Sequence, residues 1–402
     1  MKQRLFTPGP TPIPEEVALA LSRPIIHHRQ SPFKDIFQRA SKNLKYLFQT
    51  KEDVLTLTAS GTGAMEAGVT NLLSSGDSAI YLNAGRFGQR WGEVLRVYGV
   101  IPVEIKVEWG KALEPDTLRE ILRQNPRVKA VFLTHSETST GTSIDLERLA
   151  DAVRSSSEAL IIVDGISSLG ALEFRMDEWG LDVVLTASQK GLMLPPGLSF
   201  IALSQRAWQA VRTSKLPRFY FDLEKAQKVL QGGQTPWTPA ISLIVGLDVS
   251  LQLIQGEGLL NVWARHERLA RGLRQSSAAM GLKTFSTSPS NAVTALVMPE
   301  RFDGEVLRTV LREKHGIIVA GGQDHLKGKV IRVAHLGYYD ESDILTVITA
   351  LGLALRECDE LPWKGNSTRN EDRNHFDPTS GVEAALREFS KPTRQFPELR
   401  YP

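Results

Sequence analysis

Short apolar runs alternate along this chain with longer amphipathic segments, and that alternation is its strongest constraint on fold. The runs VLTLT at 54–58, AIYL at 79–82, VEIKV at 103–107, AVFLT at 130–134, LIIVD at 160–164 and VVLTA at 183–187 read as strands. The stretches between them mostly read as helices. Strand–helix alternation of this kind predicts an α/β domain with a mainly parallel sheet. In such sheets ligands gather beyond the carboxyl ends of the strands. Ahead of the first run, Phe33, Ile36, Phe37, Ala40, Leu44, Leu47 and Phe48 recur at helical spacing. The start of the chain, broken by Pro8, Pro10, Pro12 and Pro14, reads as an extended arm and not as a signal peptide.

A second unit follows. From about Ile241 to Met280 the pattern is long and helical, and suits a helix crossing to another domain. Beyond it come the strand-like ALVMP at 295–299, a helix near 303–314, strands near 317–319 and 329–333, and a helix near 341–357. The expected division is an arm over 1–25, a large domain over 26–255, a smaller α+β domain over 256–358 and a polar, loosely ordered extension over 359–402. A length of 402 residues accommodates this.

Charge narrows the partners. Lys+Arg 48 against Asp+Glu 45 gives a net charge of +3, with no electrostatic reason to expect nucleic acid or an anionic membrane. No run approaches the roughly 18 uninterrupted apolar residues of a membrane span. The single cysteine, Cys358, cannot close an internal disulfide, which suits a reducing, cytoplasmic setting. No metal site is expected.

The chemistry centres on SQKGLMLPPG at 188–197, where Lys190 follows a strand and precedes a glycine-proline turn. An isolated lysine is commonly a solvated surface residue. At the end of a parallel strand, however, its amine is placed to form a Schiff base with an aldehyde cofactor, if its surroundings lower its pKa. Asp164, 26 positions earlier, ends the apolar strand of LIIVDGISSLG. A carboxylate there is costly unless paired. It could serve as a helix cap, or hold a proton on a pyridine nitrogen so that the ring accepts electrons. TASGTGAMEA at 58–67 runs strand, glycine-rich turn, helix, so Ser60, Gly61, Thr62 and Gly63 could cradle a phosphate. It is neither a P-loop nor a dinucleotide fingerprint. NAGRFGQRW at 83–91 places Phe87 where it could stack on a planar ring, with core packing as the alternative. THSETSTG at 134–141 brings hydroxyls and His135 to the end of another strand. In VIRVAHLGYYD at 330–340, Arg332 could bind a substrate carboxylate through two parallel hydrogen bonds, or form a surface ion pair.

Taken in order, TPGP, SGTGAME, GRFGQRW, THSETSTG, VDGISSLG, SQKGLMLPPG and IRVAHLG resemble the class V aminotransferases, nearest to the alanine–glyoxylate and serine–glyoxylate branch. The resemblance runs from about residue 5 to 357. It implies fold type I of the pyridoxal-phosphate-dependent transferases, with pyridoxal 5'-phosphate held as an imine on Lys190. Asp164 then matches the partner of the pyridine nitrogen, and Phe87 the ring-stacking aromatic, often tryptophan in this branch. Thr62, Gly63, Ser188 and Gln189 match phosphate-side positions, Thr138 approaches the ring's phenolic oxygen, and Arg332 matches the substrate-carboxylate arginine. The family is homodimeric, and QTPWTP at 234–239 falls in the segment that completes a neighbour's phosphate site, which makes Gln234, Thr235 and Thr238 candidates. The implied reaction is ping-pong transamination between alanine or serine and glyoxylate or pyruvate. The alternatives are a donor such as phosphoserine or a ureido amino acid, a cysteine desulfurase using Cys358, and an inactive subunit of a complex.

Overall fold

The computed structural model describes residues 2–360 and 376–401. The chain opens on β1 (Arg4–Phe6) and then builds β2 (Val54–Leu57), β3 (Ser78–Asn83), β4 (Ile101–Lys106), β5 (Ala130–Thr134), a small hairpin of β6 (Ser136–Glu137) and β7 (Thr142–Ser143), β8 (Leu160–Asp164), β9 (Val183–Ala187) and β10 (Ser199–Leu203). Seven of these form one sheet in the order β2-β10-β9-β8-β5-β3-β4. Its β9, β8, β5, β3 and β4 run parallel, and β10 is antiparallel to both its neighbours. Side chains alternate between two buried cores, Ile161, Val163 and Val184 on one face and Leu160, Ile162, Val183 and Leu185 on the other. Burial on both faces explains why β5, β8 and β9 read as nearly continuous apolar runs, whereas β4 at the sheet edge is largely exposed.

The second sheet is β1-β13-β14-β12-β11, made with β11 (Lys283–Thr284), β12 (Val293–Val297), β13 (Ile317–Gly321) and β14 (Val330–Ala334). It packs on the helices Gly304–His315 and Glu341–Glu360 around Leu307, Leu311, Ile344, Ile348 and Leu351. Part of the expected extended arm is thus a strand: Arg4, Leu5 and Phe6 pair in parallel with Ile317, Ile318 and Val319.

The structure departs from two further expectations. The long helical stretch after Ile241 is two helices, Ile241–Glu257 and Leu259–Ala279, bent by 84° at Gly258, whose φ of +82° favours glycine. Residues 376–401 are not a loose extension. The helix Pro378–Phe389 starts on Asp377, whose side chain accepts the Thr379 and Ser380 N–H groups, and packs along Leu259–Ala279. The chain then runs on to the core of the large sheet, against which Phe396 and Leu399 pack. Phe396 packs edge-on to Trp263 at 5.5 Å. The buried Arg175 donates to the carbonyls of Pro397 (2.7 Å) and Glu398 (2.9 Å), and Tyr401 donates to Asp177 at 2.7 Å. Polar composition hides this strap because part of its hold on Arg175 is through backbone carbonyls, which any sequence supplies. A chain ending at Ser390 is expected to lose about 2–4 kcal/mol, from half-buried apolar contacts and the charged hydrogen bonds of Arg175. An unchanged thermal midpoint would contradict this. Among the described residues, no single helix is long and apolar enough to cross a membrane.

Candidate active site

Two reversals of direction, β9 to β10 and β10 to β2, leave β2 running the same way as β8 and β9. The segments after β2, β3, β5, β8 and β9 therefore all leave the sheet along one edge. They carry the SGTG turn, Phe87, Thr138, Asp164 and Lys190. This is the edge where a parallel sheet leaves room for a ligand.

Asp164 and Lys190 come from adjacent strand ends, since Asp164 is in register with Leu185 of β9. Both are buried, at 4% and 8% exposure. Burial pushes the Asp164 carboxyl up to about 7, and the nearby Glu137 adds to this; the Ile166 N–H (2.8 Å), Lys190 and Arg90 oppose it. Burial brings the Lys190 ammonium down to about 8, helped by Arg332 and opposed by Asp164 and Glu137. No ion pair joins Asp164 to Lys190 among the described residues. Instead, Lys190 Nζ donates to the carbonyl of Pro8 in the arm. Gly9 makes this approach possible: a Cβ there, at φ +136°, would lie 2.5 Å from Lys190 Cε.

The helix after the SGTG turn, α1 (Gly61–Leu72), has no side-chain cap at Ser60, so its first-turn N–H groups are not used up by a cap. Thr62 Oγ accepts from Arg90 at 3.1 Å, and the Arg90 guanidinium lies 5.0 Å from the centroid of the Phe87 ring. Phe87 opens the helix α2 (Arg86–Val97) after β3. Gln189 Oε1 is buried with no hydrogen-bond partner. The hydroxyl of Ser188 is engaged within its own turn, donating to Pro195 (2.7 Å) and accepting the Leu198 N–H (3.2 Å).

Arg332 closes the site from the second sheet. Its Nε donates to Gly321 at 2.8 Å and its Nη1 to the Thr138 carbonyl at 2.9 Å, which leaves other N–H donors for a ligand. It shares a cleft of about 480 Å³ with Lys190, Phe87, Thr138, Pro8 and Gly9. Arg308, ion-paired to Glu305 at 2.7 Å, and Lys327 line the same cleft.

Other expected residues lie elsewhere. Thr235 and Thr238 line a separate surface pocket with Tyr220 and Trp237, and Gln234 accepts from Arg29 at 3.1 Å. His135 turns from the site into the aromatic cluster of Phe174 and Trp179, where burial lowers its pKa to about 4. Cys358 is buried within the helix Glu341–Glu360, and burial pushes its thiol up to about 11, the opposite of a mobile thiolate nucleophile. The sequence does not single out Pro8, Arg90 or Glu137. Pro8 acts through its backbone, and the other two are ordinary charged residues until folding gathers them.

These residues fit pyridoxal phosphate. An anion finds the uncapped start of α1 with Arg90 beside it. A planar ring finds Phe87. A ring nitrogen and an aldehyde find a buried carboxylate and a buried amine that are not spent on each other.

Known proteins share this sequence pattern and fold. The model of the family described as "Aminotransferase class-V" matches residues 5–344. The chain is 43% identical to the "Soluble hydrogenase, small subunit" of Synechococcus sp., over 97% of this chain and 99% of that one. It is 37% identical to the serine–glyoxylate aminotransferase of Hyphomicrobium methylovorum, over 88% of this chain and 89% of that one. The crystal structure of an alanine–glyoxylate aminotransferase from Nostoc sp. superposes with a TM-score of 0.85 at 30% identity, covering 88% of this chain and 96% of that one.

Proposed function

The chain belongs to the class-V aminotransferase family, and on that premise we propose that it moves the amino group of alanine or serine to glyoxylate or pyruvate, with Lys190, Asp164 and Arg332 as its working residues. One observation carries this reading: a buried amine and a buried carboxylate stand at adjacent strand ends under a cleft closed by an arginine. The cofactor is pyridoxal phosphate, as throughout this family.

Ser60, Gly61, Thr62, Gly63 and Gln189 would hold the phosphate, with Phe87 against the ring, Thr138 by its phenolic oxygen and Asp164 by its nitrogen. Bound there, the cofactor supplies an aldehyde carbon for amines and a conjugated ring that accepts an electron pair. Lys190 Nζ would take the proton from the amino acid's α-carbon and deliver it to the carbon that was the cofactor's aldehyde, in keeping with an amine brought down to about 8. Asp164 would stay charged if a protonated ring nitrogen were held against it, which would offset its burial. Arg332 binds the α-carboxylate of donor and acceptor alike, so both substrates use one site in turn and ping-pong kinetics follow. Gln234, Thr235 and Thr238, away from their own chain's Lys190, would complete a neighbouring subunit's phosphate site in a homodimer. The lone, buried thiol suits the cytoplasm.

A panel of amino donors against glyoxylate and pyruvate tests the substrate choice. The panel includes aspartate, because Arg308 and Lys327 in the cleft would also suit a donor with an acidic side chain. Arg332→Gln is expected to raise KM for both substrates about 100-fold with a smaller change in kcat, equivalent to about 2.7 kcal/mol of lost binding. Equal KM values for variant and wild type would remove Arg332 from substrate binding.

A further inference from the structure

Glu137 is 3% exposed, and both its carboxylate oxygens are fully engaged. Oε2 accepts the N–H groups of Phe87 (3.0 Å) and Gly88 (2.9 Å). Oε1 accepts the N–H (3.0 Å) and the hydroxyl (2.5 Å) of Ser139. The same Ser139 hydroxyl accepts the Arg86 N–H at 3.0 Å. Thus the first three N–H groups of α2 all end on a turn from a different strand. Gly85 allows this approach, since a Cβ there would sit 2.4 Å from Glu137 Cδ and from Ser139 Oγ. A negative charge at a helix start is favoured by the helix dipole, and its hydrogen bonds are charge-assisted. The start of α2 is therefore filled by a side chain, whereas that of α1 is not.

The residues tied down are not arbitrary. Phe87 lines the cleft, and Thr138, next to Glu137, offers its carbonyl to Arg332. One turn thus sets an aromatic of the large sheet and a guanidinium of the small one.

We infer that Glu137 is a positioning residue for the cofactor: through the start of α2 it fixes the plane of Phe87 against which the ring lies. This rests on the reading of Phe87 as the stacking aromatic. Glu137→Gln keeps the shape but turns an N–H₂ toward at least one pair of donors. Affinity for pyridoxal phosphate is measured by titrating apo-protein and following tryptophan fluorescence, and ring orientation by visible circular dichroism of the holoprotein.

Glu137→Gln is expected to loosen the cofactor about 10-fold and to weaken its dichroic band. Phe87→Ala should loosen it at least as much, and the double variant should match Phe87→Ala alone. Additive losses would overturn the inference by showing that Glu137 acts by another route, as would a Glu137→Gln protein with wild-type affinity and dichroism. If Phe87→Ala itself changes neither readout, the stacking role fails first and takes this inference with it. Should Glu137→Gln not fold, Ser139→Ala carries the test, with about 3-fold looser binding and a weakened band expected. An unchanged affinity and band would overturn it.

Discussion

Replacing Lys190 with alanine is expected to lower kcat for transamination by about 10⁴-fold or more, because the variant loses both the amine that engages the cofactor and the base that moves the proton. The side chain is buried and its Nζ contacts the arm through the Pro8 carbonyl. Removing it leaves a small polar void and takes away a buried cation, so the fold should survive. Borohydride should leave cofactor covalently attached to the wild type but not to Lys190→Ala. Normal turnover by the variant would refute the assignment.

Asp164→Asn should lower kcat by about 10²–10³-fold, the range seen when a preorganised charge or donor is removed from an active site. The change isolates electrostatics from packing. Asparagine has the same shape, and its oxygen can still accept the Ile166 N–H that Asp164 accepts at 2.8 Å. What it cannot do is hold a negative charge beside a ring nitrogen. With burial as the largest cause, the Asp164 carboxyl is pushed up to about 7, so its charge depends on a cation nearby. The measurement is kcat with a fixed donor and acceptor; a value near wild type would mean that Asp164 is a structural cap and nothing more.

Much of this site is legible in the sequence. Strands buried on both faces leave continuous apolar runs, so LIIVD and VVLTA mark β8 and β9 to the residue, and a charged residue at such an end stands out. Lys190 and Asp164 are found that way. Other parts leave no such trace. SFIAL forms β10, but four apolar residues behind a serine have no period to distinguish them, and its antiparallel insertion depends on pairing. β1 exists only because residues 317–319 supply an edge for it. Glu137 looks like any loop glutamate until α2 starts on it. The strap over 391–401 is held in part by its carbonyls on Arg175, which carry no sequence signal.

The pairing of β1 also has a consequence for biosynthesis. Arg4 leaves the ribosome about 310 residues ahead of Ile317, its partner. Until then the arm carrying Pro8 and Gly9 has no strand to dock on. The large sheet can form meanwhile, with Lys190 and Asp164 in place, but the cleft lacks one wall until β13 and β14 are made. A nascent chain stalled after β10 would therefore hold the buried amine without its Pro8 contact and without Arg332. Assembly of the complete site is a late event in synthesis, and cofactor capture should follow release of nearly the whole chain.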